Sequence, residues 1–134
     1  VALLSHTSFG GRSSKITEEV KRAVEILDSE KQDFSYEGEM TISVALDPDM
    51  RALYPFNRLK GPANILIMPG LFSAAISSRL LQKLGGGTVI GPLLIGLSRP
   101  AQIARLDATV SDIVTDAVLA AHQAQTNPKI NRQK

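Results

Sequence analysis

The sequence predicts an α/β domain with a three-layer α/β/α arrangement, a parallel sheet between helices. Short apolar runs alternate with stretches of helical periodicity. The runs at Val1–Leu4 and Ala63–Met68 are largely apolar rather than alternating, as strands covered on both faces are. Glycine and proline punctuate the junctions.

The first strand is residues 1–5, Val1-Ala2-Leu3-Leu4 running into Ser5. A small-residue loop follows from Ser5 to Ser14. A helix comes next, with Ile16, Val20, Val24 and Leu27 at spacings of three and four. Ser14 or Thr17 is its expected cap, and Glu18 and Glu19 in its first turn suit the helix dipole. Phe34 to Ile42 reads as the second strand. Asp47-Pro48 opens a short helix, with Asp as N-cap and Pro at the first helical position. Pro55 to Pro62 is a loop. Ala63 to Met68 is a third strand, turned by Pro69-Gly70.

Leu71 to Leu84 is a helix expected to turn Leu71, Ala75, Leu80, Leu81 and Leu84 towards a core. Gly85-Gly86-Gly87 ends it, where a left-handed cap is easily adopted. Thr88–Ile90 and Leu93–Leu97 read as short strands around Gly91-Pro92, and Ala101–Leu106 as another. The last helix runs from Thr109 to about Gln125, with Val110, Ile113, Val114, Ala117 and Ala121 as its apolar stripe. Residues 1–126 thus form one domain part, and 127–134 a solvated tail.

Composition narrows the function classes. The 134 residues carry 15 basic and 13 acidic side chains, a net charge of +2. That excess is too small to imply nucleic acid, and 4% aromatics give no stacking platform. There is no cysteine, which removes disulfides, thiol catalysis and thiolate metal sites. No apolar run reaches membrane-spanning length and no signal peptide is visible, so a cytoplasmic location is expected. A core strand as the first residues points to a fragment of something longer.

The Ser5–Ser14 loop joins a strand to a helix and is rich in hydroxyls and glycine. Its backbone amides suit an anion. It lacks Lys and matches no complete phosphate-binding pattern, so from spacing alone a plain, well-capped strand-to-helix turn is the favoured reading. His6 and His122 are too far apart, with too few carboxylates between, for a metal set. Thr109-Val110-Ser111-Asp112 reads as a capping box, which accounts for Asp112 locally. No catalytic triad or carboxylate pair stands out. Ligands of such sheets bind beyond the carboxyl ends of the strands, which places the loops at 5–14 and 68–73 on the working edge.

Five blocks carry a resemblance. They are Val1–Gly10, Tyr36–Met40 with Ala45-Leu46, Gly61–Pro69, Leu84–Gly86 and Gly91–Pro100. In order and across nearly the whole chain, they resemble the second domain of phosphate acetyl- and butyryltransferases. In active members the block ending at Pro100 continues into a Ser-Arg pair implicated in catalysis. Aligned without gaps, that Ser falls on Arg105 and that Arg on Leu106, while the family's later Asp matches Asp112. The family's Asp and Asn after Pro69 are missing, and another family Asp falls on Ser43.

This erosion is similar to the phosphotransacetylase-like C-terminal domain of bacterial NADP-dependent malic enzymes. The resemblance implies a regulatory and oligomerisation module without acyltransferase activity of its own. The implied partners are acetyl-CoA as effector, the protein's own N-terminal catalytic region and further copies. NADP and a divalent metal would belong to that catalytic region, which oxidatively decarboxylates malate to pyruvate, and no cofactor to these residues. The ligand positions implied are Ser5, Ser8, Gly10 and Asp112. The alternatives are an active acyltransferase fragment and a purely structural dimerisation domain.

Overall fold

The computed structural model describes residues 1–85 and 89–126. The chain divides into two compact units, Val1–Gly86 and Gly87–Lys134.

The first unit is built on three parallel strands, β1 (Ala2–Leu4), β2 (Glu37–Met40) and β3 (Leu66–Ile67), in the order β2-β1-β3. All three residues of β1 are buried, as the central position demands. Side chains alternate across a strand, so β1 feeds two cores. Leu3 packs with Val20 and Val24 of helix α1 (Lys15–Ser29). Ala2 and Leu4 pack with Met40, Leu59 and Val44 and Ala45 of helix α2 (Ile42–Leu46). Phe9, Tyr54, Ala63, Leu66 and Met68 close over this second core. The sheet is therefore covered on both faces, in the three-layer order expected.

Helix α1 is capped by Ser14. Its hydroxyl accepts from the Thr17 amide at 3.2 Å, and the Thr17 hydroxyl accepts from the Ser14 amide at 2.8 Å. This reciprocal box turns Thr17 inward and buries it, leaving Ile16 exposed. The inner stripe is thus Thr17, Val20, Val24 and Leu27, not one that starts at Ile16. Helix α3 (Pro48–Ala52) starts as the residues dictate: Asp47 accepts from the Asp49 amide at 2.9 Å, and Pro48 fills the first position.

The β1–β2 ladder carries an irregularity. Ala2 pairs with Glu37 and Leu3 with Gly38, but Leu4 pairs with Met40. Glu39 is the extra residue at that step. Gly38 permits the close approach beside it, because a Cβ there would lie 2.8 Å from both the Cβ and the carbonyl oxygen of Leu3.

The amino edge of the sheet is held by a charged clasp. Glu37 is buried and accepts from Arg58 three times, from the backbone amide, Nε and Nη2, each at 3.1 Å. Arg58 Nη1 also reaches Asp28 near the end of α1, and the Tyr36 hydroxyl donates to the same Asp28 oxygen at 2.7 Å. The Tyr36 bond first, and Arg58 second, hold the Asp28 carboxyl below its usual range, while the bond to Asp28 raises the Tyr36 phenol. The guanidinium, 4.9 Å from the Tyr36 ring centroid, is held in its charged form chiefly by Glu37.

Several expectations need correction. The second strand is shorter than Phe34–Ile42, because Thr41 turns the chain directly into α2. The third pairs only at Leu66 and Ile67, and as an edge strand it leaves Ile65 and Ile67 exposed. Helix α4 (Leu71–Leu84) has the expected bounds but buries no residue; Leu71, Ala75, Leu80, Leu81 and Leu84 are all exposed. Gly85 ends it in the right-handed region, and a Cβ there would meet the Leu81 carbonyl oxygen at 2.7 Å. Close approach explains Gly85, while Gly86 and Gly87, the other positions of the expected left-handed cap, lie outside the described residues.

In the second unit, residues 89–109 contain no strand, so the expected strands at 89–90, 93–97 and 101–106 do not form. Gly91 and Gly96 take positive φ and break the extended run. The Gln102 side chain gathers this segment instead, accepting from the Leu94 amide at 3.4 Å and donating to Gln123 at 3.0 Å. Gln123 belongs to helix α5 (Val110–Thr126), on which Val110, Ile113, Val114, Ala117 and Ala121 are exposed. Gly86, Gly87, Thr88 and the tail at 127–134 lie outside the described residues. Among the described residues, no helix is long and apolar enough to cross a membrane.

Candidate ligand site at the carboxyl edge of the sheet

The Ser5–Ser14 loop leaves β1 at the carboxyl edge and is fastened residue by residue to the end of β2. The Ser5 amide donates to the Met40 carbonyl at 2.8 Å, and the Phe9 amide to the Glu39 carbonyl at 3.1 Å. The Ser8 hydroxyl donates to Thr41 Oγ1 at 3.2 Å and accepts from the Thr41 amide at 2.9 Å. The Gly10 amide donates to Glu39 Oε1 at 3.3 Å. Phe9 and Gly10 both take positive φ, 42° and 90°, which makes the sharp turn.

Ser5, Ser8 and Gly10 therefore share one loop. Ser8 is engaged with Thr41 just beyond β2 and Gly10 with Glu39 of β2, and the Ser5 hydroxyl lies 3.5 Å from His6 Nδ1. His6 is exposed. The loop's floor is aromatic: Phe9 lies 5.1 Å from Tyr54 and 5.0 Å from Phe56, centroid to centroid, the latter edge to face.

The residue that sequence reasoning missed here is Glu39. It is 1% exposed. One oxygen takes the Gly10 amide and lies 3.7 Å from Lys21 Nζ, while Oε2 finds no hydrogen-bond partner among the described residues. The signal available in the sequence was weak, a glutamate two residues after another glutamate across a glycine in an otherwise strand-like run.

Asp112 belongs to the second unit, where it completes the cap of α5. Its Oδ2 accepts from the amide and the hydroxyl of Thr109, both at 2.8 Å, and its own amide donates to Thr109 Oγ1 at 3.2 Å. The Thr109 amide, then its hydroxyl, lower the Asp112 pKa. A depressed folded-state value gives stability that is present above the unfolded value and lost as pH falls through the folded one. Acidifying below about pH 4, the ordinary carboxyl range, is expected to loosen the first turn of α5, read by amide exchange. Asp112→Asn keeps an acceptor but no charge, and is expected to flatten that acid response.

Arg105 forms an ion pair with Asp107, with Nε 2.9 Å from Oδ1, and that carboxylate raises the pKa of the guanidinium. Leu106 is fully exposed. Leu94–Leu97, Pro100, Gln123 and Thr126 line a shallow cavity of about 210 Å³ in the second unit. Among the described residues, no cluster of His, Asp and Glu is suited to a metal ion.

The model of the phosphate acetyl/butaryl transferase family matches residues 1–121. The chain belongs to that family. It is 50% identical over 126 residues to an NADP-dependent malic enzyme of Rhizobium meliloti, covering 94% of this chain and 17% of that protein. It is 32% identical to a phosphate acetyltransferase of Acetivibrio thermocellus, covering 93% of this chain and 38% of that one. A phosphotransacetylase structure from Streptococcus pyogenes superposes with a TM-score of 0.86 at 30% identity, over 94% of this chain and 39% of that chain. The α/β fold and the family resemblance are thereby established. The chain spans 17% of the malic enzyme's length and 38% of the acetyltransferase's.

Proposed function

We propose that this chain is a regulatory and assembly module of an NADP-dependent malic enzyme, one that holds an acetyl-CoA-type effector and has lost acyl transfer. In that reading malate oxidation to pyruvate, with its NADP and divalent metal, belongs to a catalytic region elsewhere in the polypeptide, working in the cytoplasm. The observation that carries it is Leu106. In the ungapped alignment that the family resemblance implies, this apolar, exposed side chain falls where active members have an Arg. Acyl transfer from an acyl phosphate builds negative charge that fixed cationic and hydrogen-bonding groups must meet. Neighbouring Arg105 is already paired with Asp107, and Asp112 serves a helix cap. Identity supports the same choice, 50% and 46% to two malic enzymes against 32% and 31% to two phosphate acetyltransferases.

The exposed apolar residues of α4 and α5 favour association, with further copies or with the catalytic region, because such faces are drawn out of water. The effector reading rests on the retained Ser5–Gly10 loop.

The test is made on the full-length protein. Acetyl-CoA is expected to bind calorimetrically and to shift the apparent affinity for malate by roughly fivefold or more, the lower range of allosteric couplings. Acetyl phosphate formation from acetyl-CoA and phosphate is expected to stay at background. No heat at millimolar acetyl-CoA would remove the effector. Acyl phosphate turnover would restore the second reading, an active acyltransferase, which the 32% identity to a phosphate acetyltransferase favours.

A further inference from the structure

We infer that Glu39 is a positioning residue whose carboxylate occupies the Gly10 amide as a built-in stand-in for an oxyanion, so that a phosphate- or carboxylate-bearing ligand enters the Ser5–Gly10 loop by displacing it. The inference rests on the loop being the ligand site, as proposed above.

Three features carry it. First, Glu39 is the residue at which the β1–β2 register steps, and its side chain reaches the loop that follows the neighbouring strand, at Gly10.

Second, the arrangement is poor as a device for stability. A carboxylate that is 1% exposed has one oxygen without a partner among the described residues, which opposes folding. Its sole nearby cation, among the described residues, is Lys21, at 3.7 Å and shared with Glu18 at 3.6 Å.

Third, the contact it makes is the one an anionic ligand would need. The Gly10 amide sits on a positive-φ turn at the carboxyl edge, beside Ser8. While Glu39 holds that amide, a second anion is opposed by like charge at short range. Once the carboxylate is displaced, Lys21 is left to face the incoming anion, which makes the exchange one anion for another at a fixed cation.

The test uses the full-length protein, inorganic phosphate as the probe, and two variants that keep the fold in different ways. Glu39→Gln keeps the size and one acceptor but removes the charge. Lys21→Met removes the cation from a partly exposed helix position. Phosphate affinity is expected to rise about tenfold in Glu39→Gln, as removal of a nearby like charge in a partly buried site predicts, and to fall in Lys21→Met. Amide exchange at Gly10 is expected to quicken in Glu39→Gln while exchange along α1 stays unchanged.

Unchanged or weaker phosphate binding in Glu39→Gln overturns the inference. So does exchange that quickens equally throughout the first unit, which marks a purely structural glutamate. The two readings fail separately. Phosphate and exchange responses as described, with malate oxidation indifferent to acetyl-CoA, would sustain the stand-in and remove the effector.

Discussion

Met40→Ala is expected to lower the stability of the first unit by about 3 kcal/mol, in the middle of the range for truncating a fully buried methionine. Met40 is 0% exposed and stands at the centre of the larger core, among Ala2, Leu4, Val44, Ala45 and Leu59. Two parts of the fold depend on it. Its side chain joins the sheet to α2, and its carbonyl receives the Ser5 amide where the candidate loop begins. Hydrogen exchange of the β1 amides in the full-length protein reads the change. Met40→Leu preserves volume and is expected to cost under about 1.5 kcal/mol. Equal losses for both substitutions would mean that packing at this position is not what holds the sheet to α2.

Glu37→Ala is expected to lower stability by about 2 kcal/mol. The substitution removes the acceptor of three Arg58 hydrogen bonds at once, one of them from the backbone amide. Bonds to charged groups are worth about 1.5–3 kcal/mol each in isolation, but they are not additive. Breaking a fully buried ion pair costs about 3–5 kcal/mol. The lower figure applies because Arg58 remains partly exposed and keeps Asp28, so its guanidinium regains water on one side. Glu37→Gln retains a single acceptor and is expected to recover about half of the loss. Denaturant unfolding monitored by exchange at α1 and β2 separates the three proteins. A loss confined to the 55–62 loop would show that the clasp orders that loop without supporting the sheet.

Much of the first unit was legible in its residues. The apolar run at Val1–Leu4, the period of Val20, Val24 and Leu27, and the Asp47-Pro48 start each encode local geometry strongly. The errors have two physical sources. Strand pairing is non-local. Nothing in 93–97 says whether a neighbour offers hydrogen bonds, and Gly91 and Gly96 leave the segment without a ladder. Inward faces depend on partners, so the stripes of α4 and α5 were read from their period while their burial was not fixed by it.

The candidate site divides in the same way. The loop Ser5–Ser14 was visible from its composition, and the cap formed by Thr109 and Asp112 from its spacing. Glu39 was not, because a register step depends on the partner strand, which no local pattern of β2 records. The Arg58 clasp was missed for a related reason, since Asp28, Glu37 and Arg58 meet only after the sheet has formed.

The one-residue step in the β1–β2 ladder separates the tasks of the strand's two ends. A strand in a single register is a rigid ruler, and any slip at one end is copied to the other. Here the ruler is cut at Glu39. Glu37 is aligned to Ala2, while Met40 is aligned to Leu4 by a separate count. The two ends of one short strand thus serve separate tasks, the amino end holding the Arg58 clasp and the carboxyl end holding the loop.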